Sequence, residues 1–385
     1  MKQQKKSTFY KFLSLALIAV FIVSAVGFAV SGREGNEPPT DNGEVGNKTD
    51  DSEQDKNNSN TPPNNSNGDG GDDSNVDEGS DTPPVAPPEV TYINKITGLS
   101  VSEAAASAIP VGIVLDPSTA LYGISNSDIS IEFPIEDGST RLLSYSTNEE
   151  IMWKIGALKA TRNYISNMSN FFGGVVVSYG NDDKVIYDAW ETDKITLDLS
   201  KYSDCYYVEN TIYIYTTESM IDTAKNRMPT DTTLAPYNTP PYAFCEDGTV
   251  EGVTQASTVK IDYSAKSSTV LYYHKDTGKY LYYKGDSQKI DMLTGKSLSF
   301  DNVFILFSNS VTYENSTGTE LVIDTVSGGK GYYISRGTLT EFVWETTSNG
   351  ELVFKSLMGQ TLVVNRGTAY IAYYKASQTN GITIS

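Results

Sequence analysis

Two carboxylates, Glu132 and Glu136, and three cations, Arg141, Lys159 and Arg162, fall in the stretch IEFPIEDGSTRLLSYSTNEEIMWKIGALKATRNYISNMSNFF, from Ile131 to Phe172. Nowhere else do charged residues gather at spacings that make a site. Backbone N–H groups at a helix start, joined by two cations, suit a carboxylate or phosphate ligand. The plainer reading, and the favoured one, is an ion-pair network in which Arg141 and Arg162 satisfy Glu132 and Glu136. Paired carboxylates also suggest glycoside hydrolysis. Residues four apart on a strand, however, face one side about 13 Å apart. That is too far for either usual mechanism unless the turn folds one back.

Local elements must place these groups. Ile131, Phe133 and Ile135 alternate with Glu132, Pro134 and Glu136, which predicts a half-buried strand. Asp137-Gly138 is a hairpin turn signal, because glycine accepts the positive φ that tight turns need. Arg141 opens the return strand, RLLSY. The segment LKATRNYISNM predicts a short helix, capped by Thr161 or starting nearer Leu158. On such a helix Lys159 and Arg162 share a face. Gly173-Gly174 then ends it.

The runs INKITGL, SDISIEFPIEDGSTRLL and IGALKATR, with IDMLTGKSLSFDNVFILF and GGKGYYISRGTLTEFVWE further on, carry a resemblance. The sequence resembles the YerB-like family of bacterial extracytoplasmic lipoproteins, whose biochemical role is unassigned. The match takes in Glu132, Glu136, Gly138, Arg141, Gly156, Lys159 (arginine in the family) and Arg162, and extends in order over nearly all of residues 91–385. It implies the family's N- and C-terminal domains. It also implies three histidines that this chain lacks. Their places fall on Ser178, on Ile212 and on Lys289 ahead of Asp291, while the chain's one histidine, His274, lies elsewhere. Acid–base or metal work done by those histidines in relatives is therefore closed to this chain in that form.

The chain divides into five parts by composition. Residues 1–30 join Lys2, Lys5, Lys6 and Lys11 to an uncharged apolar run from Phe12 to Val30. A run of that length as a helix reaches about 28 Å, close to the hydrocarbon core, and the lysines favour a cytoplasmic N-terminus. An uncleaved signal-anchor is the expectation; a cleaved signal peptide at the weak site Ala29-Val30-Ser31 is the alternative. No cysteine precedes Cys205, so the family's lipid anchor is excluded. Residues 31–90 are an acidic, low-complexity linker unable to build a core. Residues 91–236 alternate strand and helix signals and read as an α/β domain. Residues 237–256 are a connector. Residues 257–385 place strand after strand between turn signals and read as a mostly β domain.

The net charge is −19, of which residues 91–385 carry −11, so no basic face offers itself to nucleic acid. No cysteine–histidine cluster has metal spacing, and no cofactor motif is present. Ser257-x-x-Lys260 and Ser327-x-x-Lys330 match a penicillin-binding motif but lack its context and companions. Cys205 and Cys245 are the only cysteines. Outside the membrane they form a bridge if they are close, and otherwise stay as two buried thiols. The 26 tyrosines, with Trp153, Trp190 and Trp344, either line a glycan or peptide groove or simply suit pleated strands. Together these features predict a membrane-tethered, non-catalytic binding or scaffold protein of the cell envelope. Its partner is expected to be a cell-wall component or another envelope protein. The alternative is a peptidoglycan hydrolase using Glu132 or Glu136.

Overall fold

Apolar residues at every second position dictate a sheet with two usable faces, and one such sheet dominates the chain. The computed structural model describes residues 91–147, 153–180, 195–246, 248–315 and 318–385. The expected anchor, the acidic linker and Trp190 lie outside the described residues. Among the described residues no helix is long and apolar enough to cross a membrane.

The main sheet has eleven strands. Its centre is Asn302–Ser308, a run without an exposed side chain, flanked by Gly329–Ser335 on one side and Ala369–Lys375 on the other. The pairing with Ala369–Lys375 is parallel, and parallel strands are covered on both faces. Ala369–Lys375 also pairs in parallel with Ile129–Pro134, placing Ala372 beside Glu132. Ile129–Pro134 and Thr140–Ser146 form the expected hairpin. Val111–Leu115, Val175–Ser178 and Thr196–Asp198 continue the sheet. Strands from both halves of the sequence thus share one hydrogen-bonded ladder.

Alternation sorts the side chains into two cores. Val303, Ile305, Tyr370, Ala372 and Leu142 face one way and pack on a second sheet built from Thr258–Ser264, Ser267–His274 and Lys279–Lys284. Phe304, Leu306, Ile131, Phe133 and Tyr373 face the other way and pack on short helices and on Tyr237 and Tyr242. Phe304 stacks on Tyr242 with ring centroids 5.4 Å apart. Most tyrosines follow the plainer expectation. Tyr145, Tyr280, Tyr282, Tyr370 and Tyr373 are core residues, as is Trp344, which leaves only Trp153 of the described tryptophans exposed.

The chain is mostly β, and helices are fewer than the strand–helix alternation in residues 91–236 implied. Ser102 caps the helix Glu103–Ser107, and Thr217 caps Glu218–Lys225. The helix expected at Leu158 or Thr161 begins later. Asn163–Ser166 and Met168–Phe172 are helical, with Arg162 at the N-cap and no side-chain cap. Residues 155–159 are extended instead, because the neighbouring strands claim their backbone. Leu158 N–H donates to Ile214 and Lys159 N–H donates to Val114. Gly156 suits this passage: its φ is +148°, and a Cβ there would lie 2.7 Å from the Ile214 carbonyl. Lys159 and Arg162 therefore do not share a helix face.

The Cys205–Cys245 bridge is not formed. Cys205 is buried in the first core, whereas the Cys245 N–H donates to Val364 among the C-terminal strands. His274 ends a strand with its Nδ1 3.2 Å from Thr277 Oγ1, an ordinary turn contact.

Candidate functional site: a lysine-lined cleft over a buried carboxylate

The strand alternation that buries Ile131 and Phe133 points Glu132 the opposite way. That face is not solvent, because the second sheet covers it, and Glu132 is 0% exposed. A buried carboxylate needs partners to stay charged, and five donors surround this one. Thr140 Oγ1 and Lys284 Nζ each lie 2.6 Å from Oε1. Tyr370 OH at 2.6 Å, Thr269 Oγ1 at 2.9 Å and Tyr282 OH at 2.9 Å reach Oε2. Lys284 also donates to Thr269 and lies 5.2 Å over the Tyr263 ring. Burial by itself would raise the Glu132 carboxyl. The Lys284 charge and the hydroxyl donors outweigh it and hold the group below its ordinary 4.5. Burial first, then the Glu132 charge, pushes the phenols of Tyr263, Tyr282 and Tyr370 well up, so they remain protonated.

The five residues picked from the sequence therefore separate into distinct contacts. Glu132 pairs with Lys284. Glu136 takes both the Nε and Nη2 of Arg162 in a bidentate pair, and despite burial these donors hold its carboxyl below the usual value. Lys159 lies 3.6 Å from Asp116. Arg141 donates through Nη1 to its neighbour Thr140, and its buried Nε has no partner. The ion-pair reading thus holds for Glu136 with Arg162 and fails for Glu132 with Arg141. Lys284, Tyr282 and Tyr370 were absent from the sequence-based site. One signal did exist: in KYLYYK, Tyr280, Tyr282 and Lys284 share a strand face, and a lysine on a tyrosine face needs an acid opposite.

Above the Lys284–Glu132 pair opens a cleft of about 810 Å³. One wall is where the two sheets' hairpins meet: Ser264 Oγ donates to the Gly138 carbonyl at 2.5 Å. Gly138 has φ +82°, and a Cβ there would press on the Ser264 side chain, so glycine serves both the turn and the approach. Lys260, Lys266, Lys284 and Lys289 line the cleft with Asp116, Asp262 and several serines. Lys289 Nζ donates to the Thr119 carbonyl at 3.0 Å. Burial, and secondarily the like charge of Lys284, pushes the Lys289 ammonium down against the pull of Asp116.

Beside the cleft, Asp291 ties the two halves of the sequence together. Its carboxylate accepts the N–H groups of Gly123, Ile124, Ser125 and Leu293 at 2.8–3.1 Å. Those donors overcome burial and hold its carboxyl below 3.8. Among the described residues no three His, Cys, Asp or Glu side chains gather as a metal site.

These depressed carboxyls set an acid limb. A group whose pKa is lowered by folding contributes stability above its unfolded value and loses it as pH falls through the folded value. Glu132, Glu136 and Asp291 all act in this sense. Asp128, pushed up by burial, acts in the opposite sense and weakens the folded state as pH rises through its folded value. The urea midpoint is therefore expected to fall between about pH 5 and pH 3. A midpoint flat across that range contradicts the assignment.

Two family models match the sequence. The DUF3048 N-terminal domain covers residues 96–230 and the DUF3048 C-terminal domain covers residues 259–371, each described as a protein of unknown function. Among solved structures, the fold is similar to that of the YerB protein from Bacillus subtilis. The TM-score is 0.65 at 21% identity, over 76% of this chain and 99% of that one. At that identity the likeness speaks for the fold. No curated protein matches the sequence.

Proposed function

We propose that this chain, which belongs to the DUF3048 family, is a membrane-tethered extracytoplasmic binding or scaffold module of the bacterial cell envelope, and that the lysine-lined cleft holds its partner. The N-terminal apolar run supports the tether, and the acidic linker supports a stalk that sets the folded part away from the membrane; secretion after signal cleavage is the alternative placement. The two family segments serve as an α/β-type unit followed by a β-rich unit on the shared sheet.

One observation carries the non-catalytic reading. The carboxylate beneath the cleft is already fully engaged. A general acid has to hold a proton at working pH, which requires a raised pKa and access to the substrate. Glu132 has a lowered pKa and is 0% exposed, and Glu136 is held by Arg162. Both fit structural ion pairs better than the acid–base pair of a peptidoglycan hydrolase.

The test is co-sedimentation of the detergent-solubilised full-length chain with isolated peptidoglycan sacculi, followed by mass spectrometry of the supernatant. The chain is expected to pellet with the sacculi and release no fragments. Fragments that vanish in Glu132→Gln or Glu136→Gln would establish the hydrolase instead. A chain that stays in the supernatant shifts the search to an envelope protein.

A further inference from the structure

The geometry points to an oxyanion as the ligand class of this cleft, held by Lys266, Lys289 and Ser267; this rests on the reading of the cleft as the binding site. Each carboxylate that lines the cleft is already committed. Asp116 accepts the Ser118 N–H and hydroxyl and faces Lys159 at 3.6 Å. Asp262 pairs with Lys260 at 2.9 Å. Glu132, beneath, neutralises Lys284 at 2.6 Å.

Two cations remain without a carboxylate. Lys266 is exposed and makes no ion pair among the described residues. Lys289 is buried to 8% exposure, yet its ammonium, with three hydrogens to donate, has the Thr119 carbonyl as its hydrogen-bond partner. A third group is independent of charge. Ser267 lines the same cleft, is 7% exposed, and its Oγ has no hydrogen-bond partner. Buried hydroxyls are normally bonded, so this one marks a place prepared for an acceptor. Two ammonium groups without a carboxylate in ion-pair contact and an idle hydroxyl call for a ligand that only accepts and that carries negative charge. The cleft sets four lysines against two lining carboxylates, although residues 91–385 as a whole carry a net charge of −11.

Two positive charges favour a dianion over a monoanion. A phosphate monoester or inorganic phosphate should therefore bind more tightly than a phosphodiester or a carboxylate, and the three chemistries separate the possible sources. The probes are inorganic phosphate, dimethyl phosphate and acetate, titrated into the full-length chain at fixed ionic strength. Melting temperature is read for all three, and phosphorus line broadening for the two phosphates. A saturable rise is expected, with phosphate strongest. Lys266→Gln is expected to weaken phosphate by about tenfold, the usual worth of one charge-assisted hydrogen bond. Lys289→Gln should do the same, and Lys355→Gln, at a distant pair with Glu345, should leave it unchanged. Because Lys266 is exposed, its variant keeps the test valid if Lys289→Gln folds poorly.

The inference is overturned if no anion gives a saturable response, or if Lys266→Gln responds as the unaltered chain does. Retention on sacculi without an anion response removes this inference and leaves the binding-module reading in place. An anion response without retention on sacculi keeps this inference and moves the search for the partner from the wall to an envelope protein.

Discussion

Glu132→Ala is expected to lower stability by about 3–5 kcal/mol, the cost of breaking a buried pair from one side. The loss has two sources. Lys284 is left as a buried ammonium whose carboxylate is gone. The hydroxyls of Thr140, Thr269, Tyr282 and Tyr370 lose a common acceptor. For a folded region of this size the melting temperature should drop on the order of 10 °C. Glu132→Gln should fall between, because its amide oxygen still accepts hydroxyl donors while its NH2 confronts the ammonium. The double variant Glu132→Leu with Lys284→Met should recover part of the loss, since it removes the unpaired charge but not the idle hydroxyls. Calorimetry on the four proteins decides. A Glu132→Ala drop below about 1 kcal/mol, the scale of an ordinary surface change, would show that the carboxylate is not the keystone of this core. Its burial would then need another explanation, and the hydrolase reading would regain ground.

The surroundings of Glu132 are not written in its own stretch of sequence. Strand alternation Ile-Glu-Phe-Pro-Ile reports that two faces differ, not what lies on the polar one. A covering sheet with matched donors gives the same pattern as water. The matching donors are remote: Lys284 lies 152 positions along the chain and Tyr370 lies 238. No local rule links them. By contrast, the hairpin at Asp137-Gly138 is legible, because it depends on residues within one turn. The helix start near Leu158 failed for the opposite reason. Its local propensity was real, but Val114 and Ile214 took its first N–H groups into the sheet. Tertiary demand outweighs propensity where backbone donors are claimed by a ladder.

Asp291 shows the same separation between motif and role. It belongs to the run IDMLTGK, one of those carrying the family resemblance, and an acid beside Lys289 in a cleft invites a catalytic role. Its geometry is that of an anchor. One oxygen accepts Ile124 and Ser125, the other Gly123 and Leu293, so the loop after Leu121 is pinned to a turn some 170 residues later. Gly295 N–H returns to the Asp291 carbonyl at 2.7 Å, closing that turn around the anchor. Asp291→Ala strands four backbone donors beside the cleft. At about 1–3 kcal/mol for each donor left buried, less what entering water restores, a net loss of about 3 kcal/mol or more is expected. Asp291→Asn keeps one acceptor and turns an NH2 toward two donors, so it should lose about half as much. Hydrogen exchange separates anchoring from general weakening. The Ile124 and Ser125 amides should accelerate in Asp291→Ala by clearly more than the roughly hundredfold that a global loss of about 3 kcal/mol accounts for. Amides of Asn302–Ser308, at the sheet centre, should change only as much as global stability does. If both sets accelerate equally, the loop has no local anchor, and Asp291 stabilises the fold only through its charge.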